Sequence, residues 1–500
     1  MSAPLPATVD VAIVGAGFGG LAAAVRLREA GVRDLVLLER GDDVGGTWRD
    51  NTYPGCACDV ESHLYSLSFA PNPDWSRTFS PQPEIQAYAR RIADDFALRD
   101  ALHVRTTVLG ARWDAGAAHW VVETSRGTLA ARVLVAAQGA LSDAVVPELP
   151  GLATFAGETF HSARWRHDLP LAGRRVAVIG TGASAIQFVP AIQPQVAELH
   201  VWQRTPPWVM PRHDRAISAL ERAAYRHLPG ARTLVRATIY ARREVMALPF
   251  RHPWIARLVQ RRALAHLRAQ VADPALRARL VPRYVIGCKR VLLSNDWYPA
   301  LTRPNVRVVT DRIARVHPHG IEGGDGTLHE VDTIVFGTGF RPTAPPLADA
   351  IRGRDGDTLA ERWAGSPRAH VGTTVHGFPN LFLLMGPNTG LGHTSVLYML
   401  EAQVAHLVAA VRHLRTRGIA AVEPTAAAQR AWLAEVARRE RGTVWVAGGC
   451  ASWYLDATGR NSTLWPDVTW RFRRRVAPFR PDDYAAVHPV PVDAPAPAAA

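Results

Sequence analysis

Gly15-Ala16-Gly17-Phe18-Gly19-Gly20 follows the apolar run Val9 to Val14 and opens the helical stretch Leu21 to Glu29. Strand, glycine turn and helix in that order make the nucleotide-binding unit of a doubly wound sheet. Gly15 permits the tight turn, Gly17 lets a pyrophosphate approach the backbone, and Gly20 allows the helix to pack closely on the strand. The phosphates then meet the positive end of the helix dipole. The next strand, Leu35 to Leu38, ends at Glu39. A carboxylate there accepts hydrogen bonds from both ribose hydroxyls and repels a 2′-phosphate, so this half suits FAD or NAD.

A second turn of the same design, Gly180-Thr181-Gly182-Ala183-Ser184-Ala185, lies after the strand Arg175 to Ile179 and before a helix beginning near Ser184. Its following strand, Leu199 to Trp202, ends in Gln203-Arg204. Arginine at the offset where the first unit has Glu39 inverts the electrostatic preference, and NADPH is the natural ligand. The expected fold class is α/β, with two Rossmann-like dinucleotide-binding domains, one for FAD and one for NADP.

With 500 residues, 48% of them hydrophobic and 20% charged, the chain is long enough for two or three packed domains. No apolar run reaches the roughly 18 to 20 residues of a membrane span. Met1-Ser2-Ala3-Pro4 lacks the basic and apolar regions of a signal peptide, so a cytoplasmic location is expected. Cys56, Cys58, Cys288 and Cys450 have no zinc spacing and are too few for a disulfide framework. They read as reduced thiols, and no metal is expected.

The net charge of +14 invites a nucleic-acid reading, but no nucleic-acid module is present. The basic excess is concentrated between Arg212 and Arg290, where the pattern is helical over Ile217 to His227, Arg232 to Leu248, Trp254 to Val271 and Pro274 to Leu280. The main reading of this insert is a solvated face. The alternative is peripheral membrane contact, because Pro249 to Ile255 puts aromatic and basic residues together. Lys289 is the single lysine among 58 basic residues. It is either a chance survivor or a residue kept for its compact ammonium group.

These motifs carry a family resemblance. Phe155, Gly157, His161 and Trp165 match the F-x-G-x-x-x-H-x-x-x-W core of the Baeyer-Villiger monooxygenase fingerprint. Gly45-Gly46-Thr47-Trp48 through Tyr53-Pro54-Gly55 to Asp59 matches that family's second signature. With both glycine turns and Phe336-Gly337-Thr338-Gly339-Phe340, the chain resembles a type I Baeyer-Villiger monooxygenase over most of its length. Arg166 departs from the fingerprint, where Pro or Asp is usual. The flavin-containing monooxygenases that oxidise nitrogen and sulfur are similar in the same segment but carry Tyr or Phe in place of Trp165.

The resemblance implies an enzyme that uses FAD, NADPH and O2 to insert oxygen beside a ketone carbonyl, giving an ester or lactone by way of an anionic flavin peroxide. It implies that Arg290 is the fixed cation of that chemistry, with Asp59 as its partner beside the flavin. Lys289 and Arg204 face the 2′-phosphate, with Thr205 as an added donor. Gly46, Thr47 and Trp48 join the FAD contacts, and Gly180, Gly182 and Ser184 those of NADP. Phe155, Gly157, His161 and Trp165 couple the positions of the two cofactors, His161 by packing rather than proton transfer. Gly386 to His393, with Asn388, precedes a helix whose amides meet the flavin at a helix start.

The chain order reads as an FAD domain over 1–145, linker and NADP domain over 146–205, helical insert over 206–286, NADP domain again over 287–340 and FAD domain again over 341–488. A disordered tail is expected over 489–500. Trp453-Tyr454 and Gly459 to Pro466 either line a substrate pocket or pack the core. Two other functions remain in view. One is oxygenation of nitrogen or sulfur by the same kind of flavoprotein, which product identity decides. The other is an NADPH-dependent flavoprotein reductase, which would have no need of Arg290.

Overall fold

In a computed structural model, which describes residues 4–341, 345–450 and 452–489, the chain forms two separate parallel-centred sheets. The first has eight strands. At its centre Thr8–Val14 lies parallel to Leu35–Leu38 on one side and to Gly127–Ala136 on the other. The antiparallel ladder Val108–Asp114, His119–Thr124 and Gly127–Ala136 extends one flank. Ile351–Arg352 and Leu381–Leu383 also join this sheet, so the chain returns to it after leaving the second.

The second sheet has five strands, all parallel, in the order Val306–Val309, Glu198–Trp202, Arg175–Ile179, Thr333–Phe336, Glu158–His161. Both sheets are built on continuous apolar runs, as strands covered on two faces require. Along Thr8–Val14, Val11 and Ile13 enter the core shared with the helices Phe18–Glu29 and Val396–Arg417, whereas Ala12 and Val14 enter a second core on the opposite face. Each fully buried Val or Ile contributes on the order of 1.5–3 kcal/mol.

The insert between the strands of the second sheet is helical: Ala219–His227, Ala231–Val245, Ala247–Arg251, Pro253–Gln270 and Pro274–Leu280. The first of these starts at a capping box in which Ser218 and Glu221 satisfy each other's backbone N–H groups. Sequence periodicity predicts one helix over Arg232 to Leu248, but the structure breaks it at Met246. Pro249 is the physical reason. Its ring would collide with the carbonyl four residues earlier, at Val245, if the helix ran straight through.

A second correction concerns the cysteines. Cys56 and Cys58 are free and buried, but Cys288 and Cys450 form a disulfide. The pair is 162 residues apart in sequence, and only the folding of the C-terminal segment against the 284–292 segment brings them together. The expected disordered tail, apart from Pro489, lies outside the described residues, as do Met1 to Ala3.

His406, on the helix Val396–Arg417, makes folding pH-dependent. Its Nδ1–H donates to the Val476 carbonyl at 2.9 Å and its Nε2 accepts from the Tyr484 hydroxyl at 2.7 Å, so the neutral ring is fully used. Burial, reinforced by nearby His370, holds it down to about 4. As pH falls below the unfolded value near 6.5, the unfolded chain takes up the proton first. Stability is therefore full above that value and lost towards pH 4, by about 3 kcal/mol for this group. Melting curves across this range are expected to show a steeper loss for the wild type than for His406→Gln; parallel losses would refute the assignment.

Candidate active site

Both glycine turns are shaped for close backbone approach. Gly15 has φ +98°, and a Cβ there would meet the Ala137 carbonyl oxygen at 2.8 Å; one on Gly20 would lie 1.9 Å from the Gly15 oxygen. Gly180, at φ +109°, is held as tightly by the Gly337 carbonyl. Gly17 and Gly182, by contrast, would put a Cβ no nearer than 3.8 and 3.9 Å to any neighbour outside the turn. These are the two positions where a ligand's phosphates need bare backbone. The helix Phe18–Glu29 has no side-chain cap and no acidic residue in its first turn, and Ser184 gives no cap to Ala185–Ile192. Both helix starts thus keep free N–H groups for an anion.

The second signature folds onto the first turn. Gly45 N–H donates to Ala16 O at 2.9 Å, and Gly46, at φ +53°, packs against Gly17. Thr47 starts the short helix Thr47–Asp50, and Trp48 Nε1 donates to the Tyr65 hydroxyl at 2.9 Å. Glu39 accepts from Ala16 N–H and Gly41 N–H at 2.8 Å and from Arg49 at 2.7 Å. Sequence reasoning missed Arg49, whose cation offsets the cost of burying that carboxylate.

From Tyr53 onward the signature crosses to the second unit. Gln187, on the helix Ala185–Ile192, accepts from the Tyr53 hydroxyl and from Ala57 N–H at 3.2 Å and donates to Ala57 O at 3.0 Å. Gly55, at φ +77°, lets the loop close on the Gln187 backbone, since a Cβ there would lie 2.8 Å from its oxygen. An aromatic chain runs in parallel. Phe160 contacts Trp165 at 5.2 Å, Trp165 contacts Phe188 at 5.3 Å, and Phe188 contacts Tyr53 at 5.9 Å. Trp165 of the fingerprint is therefore in mechanical contact with the loop that carries Asp59. Gln187 and Phe188 carry no motif of their own, and nothing in the sequence marks them.

His161 ends the edge strand of the second sheet, opposite Phe336, with its ring 5.7 Å from that of Phe340. Burial holds its imidazole below the ordinary value, partly offset by the Gly339 backbone. Its Nδ1 accepts from Ala163 N–H at 3.1 Å. Phe155 and Gly157 sit at the entry to the same strand, where a Cβ on Gly157 would lie 2.4 Å from Asp332 O. Arg166, the position that departs from the fingerprint, is exposed and pairs with Asp168 at 2.7 Å and Glu158 at 3.4 Å.

Asp59 and Arg290, distant in sequence, meet. Arg290 Nε and a terminal nitrogen both donate to one Asp59 carboxylate oxygen, at 2.8 and 2.6 Å. Burial alone would push the Asp59 carboxyl up, but the Arg290 charge and its hydrogen bonds, aided by Arg243, bring it below its ordinary range. The Asp59 charge in turn raises Arg290. A permanent cation thus stands only partly exposed. Tyr454, fully buried and within the field of the Arg290 charge, is pushed up to about 12 by burial. Arg243 donates to Asp59 O at 3.2 Å and to Glu61 at 2.7 Å, so the insert helix Ala231–Val245 pins the signature loop.

Lys289 lies 5.2 Å from the Tyr284 ring centre. Burial lowers its ammonium, and the charge of Arg204 lowers it further, which places the two cations in one field. Thr205 O accepts from Thr181 Oγ1 of the second turn at 3.3 Å. Asn388, at φ +59°, is buried and spends its side-chain amide on Asn461 O and Leu464 O at 2.7 and 3.2 Å. That side chain braces the 461–464 loop. Among the described residues the buried Thr394 Oγ1 and Ser462 Oγ have no hydrogen-bond partner, and neither does Gln138 Oε1 at the end of the first sheet. Polar atoms of this kind, with the bare Gly17 backbone and Glu39, fit FAD in the first unit. Gly182, Arg204 and Lys289 fit NADPH in the second.

Two glycine turns of opposite electrostatic preference, joined by one loop that delivers a carboxylate to an arginine, define a two-nucleotide oxidoreductase. Comparison with known proteins is specific. Residues 13–81 match the NAD(P)-binding Rossmann-like domain family. The chain is 52% identical over 493 residues to a Baeyer-Villiger monooxygenase of Streptomyces coelicolor, covering 98% of this chain and 95% of that one. It is 46% identical to one of Pseudomonas aeruginosa, covering 97% and 93%. Among solved structures it is similar to an oxidised steroid monooxygenase bound to NADP, with TM-score 0.84, 32% identity and coverage of 96% and 100%. A closed cyclohexanone monooxygenase gives TM-score 0.85 and 29% identity, covering 96% and 99%. The chain belongs to the Baeyer-Villiger monooxygenase family.

Proposed function

We propose that this FAD- and NADPH-dependent Baeyer-Villiger monooxygenase acts on ketones through a centre built on Arg290. When bound, NADPH supplies the hydride and FAD the oxygen-activating chemistry. The Arg290 guanidinium stabilises negative charge as it develops on the ketone oxygen, preorganised by two hydrogen bonds to Asp59. Asp59 holds that cation in place, and Arg243 holds Asp59. Tyr454 closes the protein side of the guanidinium and, fully buried, helps exclude water. In the same reading, Gly15, Gly17, Gly20, Glu39 and Gly46 to Trp48 hold FAD, and Gly180, Gly182, Ser184, Arg204, Thr205 and Lys289 hold NADPH. The FAD domain comprises 1–145 and 341–488, and the NADP domain 146–205 and 287–340 around the insert. Among the described residues no helix is long and apolar enough to cross a membrane.

The observation that carries the reading is the Asp59–Arg290 pair, formed where the signature loop of the first unit reaches the second. The test is mass analysis of products after the FAD-loaded protein is incubated with NADPH, labelled dioxygen, cyclic and aryl ketones, and thioethers. Labelled esters or lactones are expected. Labelled sulfoxides without esters would overturn the ketone assignment, and NADPH oxidation coupled only to an acceptor protein would favour a reductase.

A further inference from the structure

The insert helix Ala231–Val245 carries apolar residues on both of its faces. Its inward face sets Ile239 and Tyr240 against the core beside two arginines: Arg236 donates to the carbonyls of His63 and Ser66 at 3.0 and 2.8 Å, and Arg243 binds Asp59 and Glu61. Its outward face carries Leu234, Ala237, Ala241 and Val245, all exposed and spaced three or four residues apart. A helix that merely covers a protein in water keeps its outward stripe polar. Leu234 is 70% and Val245 62% exposed.

The apolar surface continues onto neighbouring elements. Leu248 and Trp254 are exposed on the next two helices. Val446 is exposed on Val444–Ala447, which is anchored to Ala247–Arg251 by the stacked rings of Phe250 and Trp445 at 5.6 Å. Trp470 is exposed beside Thr469, whose N–H donates to Glu244 of this helix at 3.0 Å. These side chains therefore gather around one helix end. Of the fifteen large apolar side chains exposed among the described residues, eight lie between Leu220 and Leu258. That clustering is not the scatter of an ordinary surface.

Charge decides what covers it. Between Arg222 and Val271 the sequence holds eleven arginines and one acidic residue, Glu244, which is spent on Thr469; five of the arginines pair with carboxylates from elsewhere, which leaves Arg222, Arg232, Arg257, Arg261, Arg262 and Arg268 without an ion pair among the described residues. Arg257 and Arg474 stand exposed one helical turn beyond Trp254 and Trp470, with no ion pair among the described residues. A second copy of this chain would set arginines against arginines. A nucleic acid would answer the cations but give nothing to the leucine and valine stripe. An anionic bilayer surface answers both, with arginines at lipid phosphates, tryptophans at the headgroup level and aliphatic side chains in the acyl boundary.

We propose that the outward face of the insert, centred on Leu234, Val245, Leu248 and Trp254, docks this protein reversibly on anionic lipid membranes. The contact lies on the surface and spans nothing. It is independent of which substrate is oxidised.

The test is co-sedimentation of the full-length, FAD-loaded protein with phosphatidylcholine vesicles, with or without phosphatidylglycerol. Binding is expected only when phosphatidylglycerol is present, falling as salt rises. The triple variant Leu234→Ser, Trp254→Ser, Trp470→Ser is expected to partition about tenfold or more weakly, because both interfacial terms are needed. Its FAD content and melting temperature are expected to match the wild type, since all three side chains face solvent. Absence of binding to anionic vesicles would overturn the proposal, as would unchanged binding by the variant. So would light scattering that shows a dimer abolished by the same substitutions, which would assign the face to a second copy.

Discussion

Replacing Arg290 with methionine is expected to cut ester or lactone formation by roughly 10²–10³-fold, the loss seen when one preorganised electrostatic donor is removed from a developing oxyanion. The side chain keeps much of its length, so packing against Tyr454 changes little while the charge is gone. FAD content is expected to persist, because none of the residues proposed to cradle FAD is altered. Arg290→Lys separates charge from geometry. It restores a cation but cannot reproduce the two hydrogen bonds to one Asp59 oxygen, and partial recovery is expected. The pH profile is a second readout. With Asp59 held below the carboxylate range and Arg290 raised by it, neither group changes charge near neutrality. Product formation by the wild type is thus expected to show no break near pH 7 from this pair. Wild-type rates of ester formation in Arg290→Met would remove Arg290 from the mechanism.

The parts of the structure that were legible in the sequence are those written in backbone chemistry. Gly15, Gly20 and Gly180 had to be glycine because a side chain would strike a carbonyl oxygen, and such constraints survive as motifs. Strands buried on two faces read as apolar runs for the same kind of reason. The Asp59–Arg290 pair was legible only through family resemblance, since nothing local in either segment specifies the other. Gln187 was not legible at all. Its side chain closes three hydrogen bonds on the signature loop, yet glutamine at that position of a helix looks like any solvated residue. The disulfide was missed because two cysteines far apart in sequence carry no spacing signal. The insert's arginine count does not show which way each side chain turns: Arg236 and Arg243 turn inward to loop carbonyls and carboxylates beside Ile239 and Tyr240, and Leu234 and Val245 stand outside.

The second large effect expected is on coenzyme choice. NADPH differs from NADH by the 2′-phosphate, and Arg204 and Lys289 are the two cations proposed to meet it. A hydrogen bond to a charged group contributes about 1.5–3 kcal/mol, and exposed Arg204 belongs at the low end, so removing both contacts should cost roughly a hundredfold in the preference for NADPH. Arg204→Ala is expected to raise the KM for NADPH about tenfold and to leave that for NADH nearly unchanged. Arg204 lowers the Lys289 ammonium, after burial, so deleting Arg204 lets Lys289 hold its proton to higher pH. The sign of that coupling is testable by pH. As pH rises, Lys289 loses its charge earlier in the wild type than in Arg204→Ala, and the KM for NADPH should begin its alkaline climb at lower pH in the wild type. Steady-state kinetics with both coenzymes across that range, on Arg204→Ala, Lys289→Ala and the double variant, measure all three quantities. An unchanged ratio between NADPH and NADH in the double variant would show that the 2′-phosphate is read elsewhere.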